Sequence, residues 1–285
     1  MILFKKVTDL RNYLDAMAIS GKSAGFVPTM GALHPGHISL AETCKKQNDI
    51  TVCSIFVNPA QFNDPVDFEK YPVTIEKDIQ LLEKAGCDVL FLPSVKEIYP
   101  DASQPVKHYE LGYLETILEG KFRPGHYQGV CRVMERLLEI VRPQQLYLGQ
   151  KDFQQCMVIT RLIQQMGLHD KIKINICPTL RERDGLAMSS RNVRLGKDER
   201  EKAPSIYKVL QYVKDNIESK APHSLIQEAV KKLTDEGFKV DYVEISEADS
   251  LHPLQQWDKK KIAVVLVAAF MNEVRLIDNV VIPAS

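Results

Sequence analysis

Residues 28–37 read Pro-Thr-Met-Gly-Ala-Leu-His-Pro-Gly-His, and they gather groups suited to phosphate chemistry. His34 and His37 flank Pro35 and Gly36. Imidazoles donate to phosphate oxygens, and a glycine lets the backbone come close to a ligand. A short apolar run, 25–27, precedes the segment, and a helix-like run, 38–48, follows it. A strand, a Gly-containing turn and a helix start together make an anion site, because free N–H groups and the helix dipole converge there. Donors fixed at such a place meet the charge that develops on a nucleotide α-phosphate as it becomes pentacovalent.

Four further groups carry polar chemistry. Gly149-Gln150-Lys151-Asp152, with Gln154 and Gln155 just beyond, offers a cation for phosphate, a carboxylate for a ribose or a helix cap, and an amide one turn into a helix. Met188-Ser189-Ser190-Arg191 combines two hydroxyls with a guanidinium, the donors of a phosphate clamp; a loop that closes would also shield the reaction from water. Asn58 and Gln61 are neutral amides that read hydroxyls and carboxylates without adding charge. Arg123 and His126, in Phe122-Arg123-Pro124-Gly125-His126, supply a cation for a carboxylate or phosphate. Each group also has an ordinary structural reading: a Gly/Pro turn, a helix cap, a surface loop, a turn-forming Asn.

The missing motifs narrow the chemistry. No GxxxxGK(S/T) occurs, which argues against a Walker-type ATPase, and no GxGxxG follows a strand. No Ser-His-Asp or Cys-His arrangement is readable. Adenylate formation or nucleotidyl transfer needs no protein nucleophile; it needs positioning and charge neutralisation.

The elements that must hold these groups alternate. Helices are expected over 7–17, 38–48, 74–85, 127–141 and 152–166, with strands at 25–27, 50–57, 88–92, 145–148, 172–176 and a further one at 107–111. Residues 120–126 read as a loop rich in glycine and cations. This pattern predicts an α/β fold, a Rossmann-like, doubly wound parallel sheet that binds ligands beyond its C-terminal strand ends. The polar groups follow strands and should meet on that edge. After residue 177 the pattern changes to two amphipathic helices, 200–219 and 223–236, and strands at 240–245, 262–270 and 274–278, the last two a hairpin. The expected organisation is a nucleotide-binding domain, 1–176, and a smaller α+β domain, 177–285.

Composition agrees with a globular chain: 285 residues, 45% hydrophobic and 26% charged, so a sizeable core can form. Lys+Arg and Asp+Glu are both 37, which argues against a nucleic-acid partner or an anionic membrane surface. The longest apolar run, 262–271, is too short to span a bilayer. The six cysteines show neither CxxC nor zinc spacing, so buried free thiols in a reducing cytoplasm are expected.

HxGH after a first strand, paired with a KMSKS-type loop for which Met188-Ser189-Ser190-Arg191 stands here, resembles the nucleotidylyltransferase and class I aminoacyl-tRNA synthetase superfamily. The fuller set, 26–34, 56–59, 61–62, 123–126, 149–155 and 184–192, resembles the pantoate–β-alanine ligase family more specifically. The pieces come in the family's order, and the last third of the chain carries little of the signal.

The resemblance implies condensation of (R)-pantoate with β-alanine, driven by ATP through a pantoyl adenylate. It implies that Met30, Gly31, Ala32, Leu33, His34, Pro35, Gly36 and His37 contact ATP, with His37 as proton donor and His34 beside it on the transferring phosphate. Gly149, Gln150, Lys151 and Asp152 would bind ATP, Leu180 would line the adenine pocket, and Met188, Ser189, Ser190 and Arg191 would close on the triphosphate. Thr29, Met30, Gln61 and Gln155 would face pantoate, and Gln61, Asn58 and Arg123 β-alanine. Mg²⁺ would arrive with ATP, so no protein metal cage is expected. The family suggests a homodimer, with the N-terminal domain as interface; 177–285 is expected to act as a lid. Two positions depart from the family pattern: Ala60 replaces a Met, which should loosen packing under the loop, and Val73 replaces an Arg.

Overall fold

The computed structural model describes residues 1–62, 65–101 and 107–284. The chain divides into two compact units, Met1–Gln150 with Gln154–Pro178, and Lys151–Phe153 with Thr179–Ser285. In the first unit the order is β1 (Ile2–Phe4), α1 (Val7–Ile19), β2 (Ala24–Thr29), α2 (Pro35–Gln47), β3 (Ile50–Ile55), α3 (Pro65–Glu69), α4 (Ile75–Lys84), β4 (Val89–Phe91), α5 (Val95–Ile98), α6 (Tyr113–Thr116), α7 (Leu118–Phe122), α8 (His126–Val141), β5 (Gln145–Gly149), α9 (Phe153–Gln165) and β6 (Lys173–Cys177). The second holds α10 (Lys197–Lys202), α11 (Ser205–Asn216), α12 (Pro222–Asp235), β7 (Lys239–Glu247), β8 (Ala263–Met271) and β9 (Val274–Ile282).

The six strands of the first unit pair in the order β1-β4-β3-β2-β5-β6, all parallel. Side chains alternate between two covered faces. Phe26, Val52 and Leu146 pack with Val130, Met134 and Leu138 of α8, whereas Val27, Cys53 and Tyr147 pack with Leu40, Ala41 and Cys44 of α2. This double cover explains why β3 is buried along its whole length.

The chain winds outward from β2 to β3 and β4, then returns to the other side of β2 for β5 and β6. The winding reverses between β2 and β5, and open α/β sheets bind ligands beyond the carboxyl ends at such a point. Residues 30–37 follow β2 and residues 150–152 follow β5, so the two leading motifs leave the sheet on either side of the reversal. Gly25 fixes α2 against this sheet. A Cβ there would lie 2.4 Å from the Cys44 sulfur, so only glycine admits the helix so closely. Asn48 closes the contact, donating to the Cys44 carbonyl and the Tyr147 hydroxyl, both at 2.8 Å.

In the second unit α11 and α12 pack Ile206, Leu210, Leu225 and Leu233 against Val265 and Val267 of an antiparallel β7-β8-β9 sheet. The expected hairpin is present: Met271 pairs with Val274 and Asn272 takes a left-handed φ of 49°. All six cysteines are free and buried, and no helix among the described residues is long and apolar enough to cross a membrane.

Several expectations need correction. Residues 107–111 form no strand, because the Gln128 amide takes both backbone groups of Tyr109, its N–H and its carbonyl, at 2.9 Å each. Much of the expected 120–126 loop is helical, as α7 runs to Phe122. The single helix over 200–219 is two, since Pro204 between α10 and α11 lacks an N–H. The edge strand β1, with Ile2 and Leu3 largely exposed, escaped notice because three residues carry no periodicity. Ala60 does not underlie the loop at all. It is exposed, and the loop is packed from below by Gly129.

Candidate active site

The turn between β2 and α2 is shaped from inside. Thr29 Oγ1 donates to the Ser54 carbonyl at 2.7 Å and accepts the Gly31 N–H at 3.2 Å. Asp78 accepts the Ala32 and Leu33 N–H groups at 2.9 and 2.8 Å, and the His34 N–H points to His37 Nδ1 at 3.4 Å. The N–H groups of residues 31–34 are therefore taken up by the protein. This revises the sequence expectation that the turn's own amides meet the phosphate. The next N–H beyond these, that of Gly36 at the start of α2, belongs to a half-buried residue.

The two rings stack with centroids 3.9 Å apart and planes tilted by 34°. In a neutral His37, Nδ1 facing an N–H donor must carry the lone pair, which leaves the proton on Nε2. In that tautomer the Nε2–H is a hydrogen-bond donor.

Beyond β3, Gln61 comes to the same place. Its Nε2 lies 2.8 Å from the Met30 sulfur, so two residues assigned to pantoate from the sequence are brought together. Asn58, expected at β-alanine, is instead wholly buried. Its Oδ1 accepts from the Ala60 N–H at 3.2 Å and the Tyr99 hydroxyl at 3.0 Å, and its Nδ2 donates to Gln61 Oε1 at 3.2 Å and the Gly129 carbonyl at 3.1 Å. Every hydrogen-bonding capacity of the amide is used, so its visible task is to orient Gln61.

α8 supports the loop from below. His126 Nδ1 is 2.7 Å from the Gln61 carbonyl and its Nε2 is 3.1 Å from the Arg123 guanidinium. Arg carries donors only, so Nε2 accepts and the Nδ1–H donates to Gln61. Arg123 also pairs with Glu119 at 3.6 Å. Gly129 lies so near that a Cβ would meet the Ala60 carbonyl at 2.1 Å. A cavity of about 240 Å³ borders the Gly31 turn, lined among others by Met30, Phe56, Val73, Asp78 and Val95.

The neighbouring glutamines at 154 and 155 divide the work. Gln154 is buried and holds α6 and α7, accepting the Glu119 N–H at 3.0 Å and donating to the Leu114 and Ile117 carbonyls at 2.8 and 3.1 Å. Gln155 is half-buried, one helical position on. Gly149 and Gln150 are likewise half-buried at the end of β5.

The remaining candidates lie in the second unit. Residues 180–188 form a tight hairpin in which the Met188 N–H donates to the Leu180 carbonyl at 3.0 Å, so the expected adenine contact and the start of the Ser-Ser-Arg loop are adjacent. Leu180 is 41% exposed, which leaves its side chain open to a ligand. Gly185 at the hairpin turn has φ 95°, and a Cβ there would collide with the Tyr207 ring at 2.1 Å. Ser189 caps the turn that follows by accepting the Arg191 N–H at 3.2 Å.

Strand β9 ties these pieces together. Asp278, 3% exposed, pairs with Arg181 at 2.5 and 3.0 Å, and Arg181 also stacks over Tyr207 with 4.4 Å to the ring centroid. Asn279, the next residue, donates to the Lys151 carbonyl at 2.9 Å. Lys151 and the hairpin carrying residues 188–191 are thus anchored on adjacent positions of one strand. The sequence reading missed Asp78, Tyr99, Gly129 and Asp278. The partners that tie them to the site lie 41 or more residues away along the chain, and no local motif marks them.

Among the described residues no group of three or more His, Cys, Asp or Glu side chains is arranged to hold a metal ion. The model of the family described as "Pantoate-beta-alanine ligase" matches residues 2–281. The chain is 45% identical to a pantothenate synthetase of Cytophaga hutchinsonii over 99% of both proteins, and 41% identical to that of Phocaeicola vulgatus over 98% of this chain and 99% of the relative. Among solved structures, pantothenate synthetase from Thermus thermophilus superposes with a TM-score of 0.90 at 38% identity, covering 98% of this chain and 99% of the other. Pantoate-beta-alanine ligase from Francisella tularensis, complexed with beta-gamma ATP and beta-alanine, superposes with a TM-score of 0.83 at 38% identity, covering 98% and 97%. A match over nearly the whole chain, at these identities, means that the chain belongs to the pantoate–β-alanine ligase family.

Proposed function

We propose that this chain joins (R)-pantoate to β-alanine with ATP, releasing AMP and pyrophosphate. A pantoate carboxylate oxygen attacks the α-phosphorus, and the bond to the bridging oxygen of the β-phosphate breaks as pyrophosphate leaves. The β-alanine amine then attacks the acyl carbon; AMP departs with the electron pair of the acyl–oxygen bond, and the amine loses a proton. The observation that carries this reading is the convergence of Met30, Gln61 and the His34–His37 pair beyond β2 and β3, in a chain of this family.

His34 and His37 serve the transferring phosphate, the Nε2–H of His37 donating a hydrogen bond to its oxygens. Thr29, Met30, Gln61 and Gln155 face pantoate. β-Alanine lies beside Gln61 with its carboxylate toward Arg123, while Asn58 acts through Gln61. Gly149, Gln150, Lys151 and Asp152 take ATP, Leu180 its adenine, and Met188, Ser189, Ser190 and Arg191 its triphosphate. ATP would enter as its Mg²⁺ complex; the donor sets of the site are amides, imidazoles and cations, suited to the anion rather than to the ion. Residues 1–176 act as the binding domain and 177–285 as its lid, in a cytoplasmic homodimer. The Francisella relative's bound beta-gamma ATP and beta-alanine support two of the three substrates.

The test is exchange of radiolabelled pyrophosphate into ATP. It is expected to require pantoate and not β-alanine, because only the first step regenerates ATP. Exchange that ran equally well without pantoate would overturn the ligase reading.

A further inference from the structure

Asp78 has no place in the chemistry above, yet it is fully buried one turn into α4 and faces the turn that leads to His34. Its Oδ2 accepts the Ala32 N–H at 2.9 Å, and its Oδ1 accepts the Leu33 N–H at 2.8 Å and the Thr74 hydroxyl at 2.9 Å. A buried carboxylate needs such donors to remain in place.

The turn it holds is strained. Gly31 and Ala32 are successive left-handed residues, with φ 81° and 49°. Glycine tolerates that conformation, whereas alanine resists it through its Cβ. Turns of this kind direct neighbouring N–H groups into a concavity that binds anions. Here the concavity is already filled, and by the protein's own carboxylate. A Cβ on Gly31 would approach Asp78 Oδ2 and Ile55 Cγ2 at 3.1 Å each, so the fit around the carboxylate is close.

We propose that Asp78 is a positioning residue for the adenylation step: an internal anion that locks the 31–33 turn and thereby fixes His34 and His37 at the start of α2. This rests on the ligase reading. The turn's amides are withheld from ATP and used to set the histidines. Loss of the lock leaves the imidazoles in place chemically but misdirected, and misplacement of a catalytic group by about 1 Å costs on the order of a hundredfold in rate.

The test is Asp78→Asn in the full chain, assayed by pyrophosphate exchange at saturating ATP with pantoate varied through its KM, well below the melting temperature. The amide keeps one acceptor and turns a donor toward the other N–H. The expected result is kcat lower by about ten- to a hundredfold, with KM for pantoate within about twofold of wild type. Asp78→Glu, longer by one methylene, is expected not to rescue. A folded Asp78→Asn enzyme with kcat within twofold of wild type overturns the proposal, as does a loss that only tracks the folded fraction. Should that variant fail to fold, Thr74→Val decides. It removes one donor to the same carboxylate, and a two- to fivefold fall in kcat at unchanged pantoate KM supports the proposal, while unchanged kcat overturns it. Wild-type enzyme without pantoate-dependent exchange would instead sink the ligase reading, so the two failures are separable.

Discussion

His126 holds Gln61 by its backbone: the buried imidazole donates from Nδ1 to the Gln61 carbonyl across 2.7 Å. The loop that presents Gln61 is therefore set by α8, 65 residues further along the chain. His126→Ala removes the donor and leaves a buried carbonyl unsatisfied, which costs about 1–3 kcal/mol of stability. It also frees Gln61 to turn away from Met30. Steady-state kinetics at saturating ATP are expected to show kcat/KM for pantoate at least about tenfold lower, since about 1.4 kcal/mol of lost orientation is a factor of ten. Full activity in a folded His126→Ala enzyme would refute the link.

Gly129 and Gly185 lie where no other side chain fits. Gly129→Ala drives a Cβ onto the Ala60 carbonyl, and Gly185→Ala drives one into the Tyr207 ring from a backbone with φ 95°. Overpacking costs about 1–3 kcal/mol. The Gly185 variant carries left-handed strain besides. Urea denaturation should place both variants below wild type. The Gly129 change should also reduce activity, because the colliding backbone carries Gln61. Equal midpoints for wild type and both variants would contradict this account.

Much of the fold was legible because apolar periodicity reports local geometry. β3, buried throughout, reads as a β-branched and nearly continuous apolar run, and α8 shows its buried stripe at helical spacing. The site was legible where its chemistry is local, as in His34-Pro35-Gly36-His37. What could not be read is how side chains use distant backbone. Gln128 occupies the main chain of Tyr109 and prevents a strand, and Asp78 occupies the turn amides that sequence alone leaves open to phosphate. Asn58 looked like a ligand because its type suits one, yet Tyr99 and Gly129, on other elements, claim its amide. Such contacts depend on packing, and no spacing rule encodes them.

The cysteines give a direct check on burial. All six are free and buried, and burial pushes the thiols of Cys44 and Cys131 up to about 12. The reactive species is the thiolate. At pH 8 the native protein should release little colour from an aromatic disulfide reagent, and unfolding in guanidinium should expose six equivalents per chain. Rapid reaction of several thiols in the native state would contradict the packing described for α2, β3 and α8.

The stem of the Ser-Ser-Arg loop should respond to acid. Burial opposes ionisation of Asp184, but Arg200, 2.6 Å away, and the Leu186 N–H outweigh it and hold the carboxyl below its ordinary range. A carboxylate whose pKa is lowered by folding stabilises the fold above its unfolded value. That contribution disappears as pH falls through the lowered folded value. Asp184→Asn should therefore melt below wild type at pH 7, and the gap should close as pH falls through the carboxylate range. A gap that stayed constant down to pH 3 would show that the Arg200 pair contributes nothing. A single exposed pair is a small effect, so the shape of the pH dependence is the readout.

Ala60 stands where the family pattern carries Met, and it discriminates between two ways of holding the Gln61 loop. If the residue packed under the loop, restoring the longer side chain would tighten it. The structure has Ala60 exposed, its N–H bonded to Asn58 Oδ1 at 3.2 Å and its carbonyl packed on Gly129. The loop is held by backbone groups that Ala60→Met leaves untouched. Exposed substitutions of this kind change stability by no more than about 0.5 kcal/mol. Ala60→Met is therefore expected to leave the melting temperature and the pantoate KM unchanged within error, in contrast to Gly129→Ala one contact below. A clear gain in stability or pantoate affinity would mean that the side chain turns inward and that the Asn58–Gly129 contact is not what fixes Gln61.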